Sequence, residues 1–258
     1  MRRIIAIVNQ KGGVGKSTTA VNLGACLAAA GQRTLVVDLD PQANSTSGLG
    51  IPRDRPLGSV YDLLLDGEDL SGFVVSCLVP DLFVIPSTIN LAGAEVELAA
   101  VVGRETRLRH ALAEADFPIV LIDCPPSLGL LTINALTAAT EALIPIQCEY
   151  YALEGLTQLL QSIELVKRHL NAGLEISGVL LTMYDSRTNL SDQVADEVRR
   201  YFGDRVYASV IPRSVRLAEA PSHGKPISLY DPASRGARAY QTLAQEVIVR
   251  GRQPTPAS

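Results

Sequence analysis

The most informative stretch of the sequence is a glycine-rich segment near its start, KGGVGKST at residues 11–18. It follows an apolar run that predicts a buried strand, and it precedes an amphipathic run that predicts a helix. Glycines let backbone N–H groups turn toward phosphate oxygens, and the start of a helix favours the same anions. In such a loop the Lys16 ammonium can reach the terminal phosphates of a nucleotide, and the Ser17 hydroxyl can bind Mg²⁺. A plain glycine-rich turn is the alternative, but Gly-Lys-Ser at a strand-to-helix switch favours a phosphate cradle.

Three aspartates follow apolar runs that predict strands. Asp38 and Asp40 come at the end of one run, and Asp123 ends a later one. In an open α/β sheet, ligands bind beyond the carboxyl ends of the strands. An apolar run that ends in Asp is the Walker B pattern, which holds Mg²⁺ directly or through water. Each aspartate could instead be an ordinary turn residue, and for Asp40 the following Pro41 favours a turn cap.

The elements that must position these side chains alternate along the chain. Short β-branched runs predict strands at Ile4–Val8, Thr34–Asp38, Leu82–Pro86, Ile119–Asp123, Ala142–Gln147, Ile176–Thr182 and Val206–Ile211. Longer runs predict helices at Ser17–Ala30, Leu91–Ala115, Leu128–Thr140, Leu153–Leu170, Leu190–Phe202 and Ser234–Val249. Because several strands are apolar throughout, helices should cover both faces of the sheet. We predict an α/β fold of the P-loop NTPase type, with a doubly wound, mostly parallel sheet.

Domain boundaries follow from the same pattern. No linker divides the chain, so residues 1–250 are expected to form one domain, and residues 251–258 a disordered tail. Residues 41–72 are rich in Pro, Gly, Ser and Asp and predict loop and short helix.

Composition narrows the functional classes. Of the 258 residues, 47% are apolar and 19% charged, which excludes a mostly disordered chain. No apolar run reaches the roughly 18 residues that a membrane-spanning helix needs, and we expect a cytoplasmic protein. Four scattered cysteines make a zinc site or a disulfide framework unlikely. The net charge of −4 argues against nucleic-acid binding, but residues 187–258 carry +4 and permit a local basic face.

The phosphate loop departs from the standard form in one respect. Gln10 stands where the first glycine is expected, and a second lysine, Lys11, precedes Lys16 by five residues. This lysine-bearing loop resembles the deviant Walker A motif of the ParA/MinD superfamily. Further segments, over roughly residues 2–250, resemble its chromosomal ParA (Soj) branch. They are DLDPQ at 38–42, LAGAE at 91–95, DCPPSLG at 123–129, QCEYYALEG at 147–155 and EAPSHGKP at 219–226.

The resemblance implies a slow ATPase and a role for individual residues. Lys11, Lys16 and Asp40 would act in hydrolysis. Asp40 would position the attacking water, and Lys11 would reach the nucleotide of the partner copy across a dimer interface. Mg²⁺ would be held by Ser17, Asp38 and Asp123. The residues implied to hold ATP are Lys11, Gly12, Gly13, Val14, Gly15, Lys16, Ser17, Thr18 and Pro212, which could pack on the adenine.

The resemblance also implies partners. An ATP-bound homodimer would bind double-stranded DNA non-specifically on the nucleoid, and a ParB-like centromere-binding protein would stimulate hydrolysis. Arg187 and Arg216 would line the DNA-binding face, because arginines contact phosphates without reading sequence. A solvated or ion-paired surface arginine is the alternative for both. Other basic candidates in the same third of the chain are Arg213, Lys225, Arg235 and Arg238.

Competing functions differ in what they require of the sequence. A membrane-bound relative of MinD needs a C-terminal amphipathic helix, which the end of this sequence lacks, so we expect no membrane partner. A nitrogenase-reductase-like protein needs a second cysteine beside the cluster, and an Mrp-type scaffold needs a C-x-x-C pair; neither is present. A nucleotide-switched regulatory module, acting on a replication initiator or another cargo, stays open as an alternative.

Overall fold

One sheet runs through the molecule. The computed structural model describes residues 2–52, 58–66, 70–150 and 155–251, and within these ranges eight strands pair in the order β3-β4-β2-β5-β1-β6-β7-β8. The strands are β1 (Arg3–Ile7), β2 (Thr34–Asp38), β3 (Val75–Ser76), β4 (Leu82–Ile85), β5 (Ile119–Asp123), β6 (Glu141–Gln147), β7 (Glu175–Tyr184) and β8 (Val206–Pro212). Only the pairing of β3 with β4 is antiparallel. The predicted fold class is therefore confirmed.

Helices cover both faces of this sheet. They are α1 (Lys16–Ala29), α2 (Asn44–Gly48), α3 (Val60–Asp66), α4 (Leu91–Leu98), α5 (Arg107–Ala111), α6 (Leu130–Ala138), α7 (Leu156–His169), α8 (Asn189–Phe202), α9 (Val215–Glu219), α10 (Ile227–Tyr230) and α11 (Arg235–Arg250). Helices α1 and α11 pack on one face, and α3 to α8 supply the core of the other. In the described ranges, no helix combines the length and the apolar character that crossing a membrane would require.

The predicted strands agree with the structure to within two residues at each end, and the predicted helices agree less well. The helix predicted over Leu91–Ala115 is wrong: α4 ends at Leu98, a 3₁₀ turn covers Arg104–Thr106, and α5 follows. Within this break Gly103 adopts φ +72°, left-handed backbone that glycine adopts without strain, so no α-helix continues through it. The short strand β3 is an addition to the prediction.

Other differences are smaller. Residues 41–72, predicted as loop and short helix, contain the short helices α2 and α3 in their described part. The helix predicted from Leu153 begins at Leu156, and residues 151–154 lie outside the described residues. Of the predicted disordered tail, Gly251 is described and residues 252–258 are not.

Helix α1 lies very close to the sheet at Gly24. A Cβ atom placed there would meet Val36 Cγ2 at 3.1 Å and Leu82 Cδ1 at 3.3 Å. Both neighbours belong to the close-packed core, where an extra methyl group forces side chains away from their preferred rotamers. The missing side chain at Gly24 therefore sets how deeply α1, and the phosphate loop at its start, sits over the sheet.

We expect Gly24→Val to lower the free energy of unfolding by about 1–3 kcal/mol through overpacking. Ala29→Val is the matched control, because Ala29 is an exposed residue of the same helix and receives an equally β-branched side chain. Urea unfolding of the two variants measures the difference. Equal stability losses would show that the close contact at Gly24 does not limit the packing of α1.

Candidate functional site

The glycine-rich segment forms the turn between β1 and α1. Gly13 and Gly15 have φ +74° and +91°, and Gly15 is the N-cap of α1. Side chains from outside the loop hold it: Asn9 Nδ2 donates to the Pro145 carbonyl at 2.7 Å, and Thr182 Oγ1 donates to the Val14 carbonyl at 2.9 Å. The loop is thus fixed to β6 and β7 before any ligand arrives, with its amides at the start of a long helix, as a phosphate cradle requires.

Lys16 is buried at the base of this loop. Its ammonium donates to the Lys11 carbonyl at 3.2 Å. Burial lowers the pKa of Lys16, and the nearby carboxylates of Asp123 and Asp40 oppose that shift. A buried ammonium with one neutral acceptor in the described residues is well placed to attract a phosphate oxygen.

The two aspartates at the strand ends lie side by side. Strands β2 and β5 are neighbours in parallel register, and Asp38 is paired with Asp123. Both side chains are fully buried. Burial raises the pKa of Asp38 to about 7, aided by the charge of Asp123, and burial raises the pKa of Asp123 to about 6. Hydrogen bonds oppose both shifts, from Thr46 to Asp38 and from the Ser17 and Ser45 hydroxyls to Asp123.

The donors around this pair come mainly from α2. Asp38 Oδ2 accepts hydrogen bonds from Thr46 N at 2.7 Å and from Thr46 Oγ1 at 2.6 Å. Asp123 Oδ2 accepts one from Ser45 Oγ at 2.7 Å. Within the described residues, Asp123 Oδ1 is buried and has no hydrogen-bond donor. The donors of α2 therefore leave one carboxylate oxygen available to a ligand.

These groups fit Mg²⁺. The ion prefers oxygen ligands and is usually held by one or two carboxylates together with phosphates and waters. Asp123 offers the orphaned Oδ1, and Asp38 and the Ser17 hydroxyl lie beside it. The described ranges hold no cluster of three or more His, Cys, Asp or Glu side chains that would form a complete cage without phosphate. The arrangement suits a metal that arrives with its nucleotide.

A cleft of about 630 Å³ opens beside the loop. Asp40, at its edge, is 6% exposed and accepts a hydrogen bond from Gln42 N at 2.9 Å, so it caps a turn and borders the cleft at once. Of the predicted residues, the cleft is lined by Gly12, Gly13, Gly15, Lys16, Ser17, Thr18 and Asp40. Lining residues that the sequence did not predict include Asn22 of α1, Met183, and on the far side Ala220, Pro221, Ser222 and Lys225.

Some of these additional residues left a signal in the sequence. Met183 is an exception, because its positive φ of +51° corresponds to no sequence pattern. Lys225, taken from the sequence as a candidate for DNA binding, lines the cleft instead. It belongs to the EAPSHGKP segment at 219–226, one of the segments that resemble the ParA branch.

The remaining predicted residues lie outside this cleft or at its rim. Pro212 ends β8 and does not line the cleft, so its contact with adenine stays a prediction. Lys11 is partly exposed, and no ion pair within the described ranges involves its ammonium. Both arginines predicted to bind DNA are exposed and paired: Arg187 with Asp185 at 2.7 Å, and Arg216 with Glu219 at 3.1 Å.

Comparison with known proteins shows which family the chain belongs to. Residues 2–176 match the family model described as an AAA domain. The sporulation initiation inhibitor protein Soj of Bacillus subtilis (strain 168) is 60% identical over 253 residues, which cover 97% of this chain and 100% of that protein. The chain belongs to the ParA/MinD superfamily, on its chromosomal ParA (Soj) branch. The chromosome partitioning protein ParA of Caulobacter vibrioides (strain NA1000 / CB15N) is 54% identical, covering 97% of this chain and 95% of that protein.

A solved structure supports the fold of this ParA-branch chain. Cobyrinic acid a,c-diamide synthase from Mycobacterium smegmatis, crystallised with an ATP analog and magnesium, matches with a TM-score of 0.87 at 39% identity, covering 98% of this chain and 97% of that chain. Its name describes a different reaction. Proteins with this fold are therefore named for different functions. The sequence identity of this chain is higher to the Soj and ParA proteins than to the synthase.

We expect Thr182→Val to weaken nucleotide binding several-fold and to lower the free energy of unfolding by about 1–3 kcal/mol, because it leaves the buried Val14 carbonyl without its donor. Thr137→Val is the matched control, since the Thr137 hydroxyl is buried and has no hydrogen-bond partner in the described residues. Titration with nucleotide and urea unfolding measure the two effects. Equal behaviour of the two variants would contradict a role for Thr182 in holding the loop.

Proposed function

We propose that this chain is a chromosome-partitioning ATPase whose ATP-bound homodimer binds double-stranded DNA non-specifically and is released when a ParB-like partner stimulates hydrolysis. The observation that carries the proposal is that the phosphate loop, Lys16 and Asp40 line one cleft. Directly behind them lies the buried pair Asp38 and Asp123: Asp38 accepts a hydrogen bond from Asp40 N, and Asp123 feels the charges of Asp40 and Lys16. The chain is an ATPase of the ParA (Soj) branch, and ATP with Mg²⁺ is its cofactor set. The dimer, the DNA and the partner are inferred from that membership.

Each residue of the nucleotide site has a distinct role in this proposal. Backbone amides of residues 12–18 and the Lys16 ammonium bind the phosphates and take up their negative charge. Asp40 stands at the cleft edge, where its carboxylate can orient the attacking water. Mg²⁺, held by Ser17, Asp38 and Asp123 directly or through water, would supply further charge neutralisation at the phosphates. With a single orienting carboxylate and no strong base in the described cleft, slow turnover is the expected behaviour.

Lys11 explains why two copies would be needed. Its carbonyl serves its own loop by accepting from Lys16, and its side chain is partly exposed and does not line the cleft of its own copy. We propose that this ammonium reaches the phosphates bound by a second copy, so that each nucleotide is held from both sides. Loss of the γ-phosphate on hydrolysis would then remove the group that joins the copies.

DNA binding would follow from dimerisation. A single copy offers few cations, and Arg187 and Arg216 are already paired with carboxylates of their own chain. Two copies in fixed register double the phosphate contacts, and affinity for DNA rises steeply with their number. A nucleotide that controls dimerisation therefore controls attachment to the nucleoid, where we propose that the protein acts.

We expect the wild-type protein to bind a non-specific duplex tightly with ATP and Mg²⁺, and weakly with ADP or no nucleotide. Arg216→Ala should weaken the ATP-dependent binding by about tenfold or more and reduce the slope of log affinity against log salt by about 2, because the dimer loses one phosphate contact per copy. Fluorescence anisotropy at several salt concentrations measures both quantities.

The matched control for this experiment is Arg199→Ala. Arg199 is also exposed and ion-paired within its own helix, with Asp196. Its loss should leave DNA affinity within about twofold and the salt slope unchanged. Equal affinity of the wild type for DNA in all three nucleotide states would contradict the proposed switch, and equal effects of the two arginine variants would remove Arg216 from the DNA-binding face.

A second candidate function is regulatory. The Bacillus subtilis relative is named as an inhibitor of sporulation initiation, which describes control of another process. Under this second hypothesis, ATP sets the oligomeric state of the protein, and the resulting assembly acts on a replication initiator or another cargo. The Arg216→Ala variant separates the two, since regulation that persists without DNA binding favours the second candidate.

A further inference from the structure

The far wall of the nucleotide cleft comes from a part of the chain remote from the phosphate loop. We call residues 220–227 the cleft wall. Ala220, Pro221, Ser222 and Lys225 of this wall line the cleft. The wall consists of a 3₁₀ turn over Ala220–His223 followed by an extended Pro226, and it ends where α10 begins. With so little regular structure, its position depends on contacts with other elements.

Asn22 supplies the most direct of these contacts. It lies on α1, one turn after Thr18, and is 3% exposed. Asn22 Oδ1 accepts a hydrogen bond from the Ile227 backbone N–H at 2.6 Å, and Asn22 Nδ2 donates to the Thr18 carbonyl at 2.7 Å. One buried side chain thus joins the end of the cleft wall to the first turn of the phosphate-loop helix.

A second contact closes the other side of the wall. A Cβ atom added at Gly50 would lie 2.8 Å from the Gly224 carbonyl oxygen, and one added at Gly224 would lie 2.8 Å from Gly50 Cα. Both glycines have positive φ, +81° and +60°. Gly50 follows α2, the helix whose Ser45 and Thr46 bond to the buried aspartates. The wall is therefore held between α1, which begins at the phosphate loop, and the turn after α2, the helix that donates hydrogen bonds to the buried aspartates.

We propose that Asn22 is a positioning residue of the nucleotide site: it holds the cleft wall against the phosphate-loop helix, so that Ser222 and Lys225 stay within reach of the bound nucleotide. Asn22 also lines the cleft, but its Oδ1 and one Nδ2 proton are already bonded to the protein, and it acts on the nucleotide by holding the wall. The consequence is an effect on nucleotide affinity with little effect on the hydrolytic step, which depends on groups across the cleft. This inference rests on the proposed function, because it takes ATP as the ligand.

A purely structural role is the alternative, and the chain offers a matched comparison. Helix α1 makes another buried side-chain hydrogen bond to a distant element, between Thr19 Oγ1 and Tyr240 Oη at 3.2 Å. Tyr240 is on α11 and does not line the cleft. Loss of either bond should reduce stability by a similar amount, but only loss of the Asn22 bond releases the wall.

The test compares Asn22→Leu, which keeps the approximate size of the side chain, with Tyr240→Phe. For Asn22→Leu we expect the Kd and KM for ATP with Mg²⁺ to rise about tenfold while kcat stays within about threefold of wild type. For Tyr240→Phe we expect both Kd and KM within about twofold of wild type, although urea unfolding shows a comparable loss of stability.

The outcomes separate this inference from the proposed function. A wild-type protein that does not bind ATP overturns the proposed function and the inference together. Wild-type binding with an unchanged Kd in Asn22→Leu, or a fall in kcat at constant KM, overturns the inference alone. If Asn22→Leu does not fold, hydrogen exchange of the wild type decides: a protected Ile227 amide and slower exchange over residues 220–225 with ATP support it, and unchanged exchange over 220–225 contradicts it.

Discussion

The structure depends on one electrostatic constraint: two carboxylates are buried side by side at the carboxyl edge of the sheet. Asp38 and Asp123 face each other across neighbouring strands, and burial raises the pKa of both. The ammonium of Lys16 is buried with them, and its pKa is lowered. Buried charges persist only when they are paired, hydrogen-bonded or bound to metal. A nucleotide that brings phosphates to Lys16 and a divalent cation to the aspartates satisfies all three groups.

The rest of the fold serves this arrangement. Parallel pairing of β2, β5 and β1 brings the phosphate loop and both aspartates to one edge, where ligands of open α/β sheets bind. Gly24 lets α1 sit close over the sheet, and Thr182 ties the loop to β7. The cleft wall completes the opposite side through its contacts with Asn22 and Gly50. The cleft is thus lined by elements from both ends of the chain, including the segment next to Arg216.

The sequence predicted what depends on local pattern. Apolar runs located the strands, and the spacing of glycines and Lys16 located the phosphate cradle. It missed what depends on distant contacts. From the sequence, Asn22 is only a polar residue in a mainly apolar helix. Its role becomes visible when the structure brings the Ile227 amide, 205 positions later, into hydrogen-bonding contact with it. The prediction of one helix over Leu91–Ala115 is wrong because the hydrophobic periodicity continues through Gly103, whereas the α-helical backbone conformation does not. For Arg187 and Arg216 the sequence left exposure and ion pairing open, and the structure shows both together.

The central claim is that a triphosphate completes the charge balance of this cleft and thereby joins two copies through Lys11. Sedimentation velocity with Mg²⁺ and a non-hydrolysable ATP analog, compared with ADP and with no nucleotide, tests it most directly. We expect a dimer with the analog alone and a monomer in the other two states. A protein that remains monomeric when saturated with the analog, or one that is dimeric in every state, would contradict it.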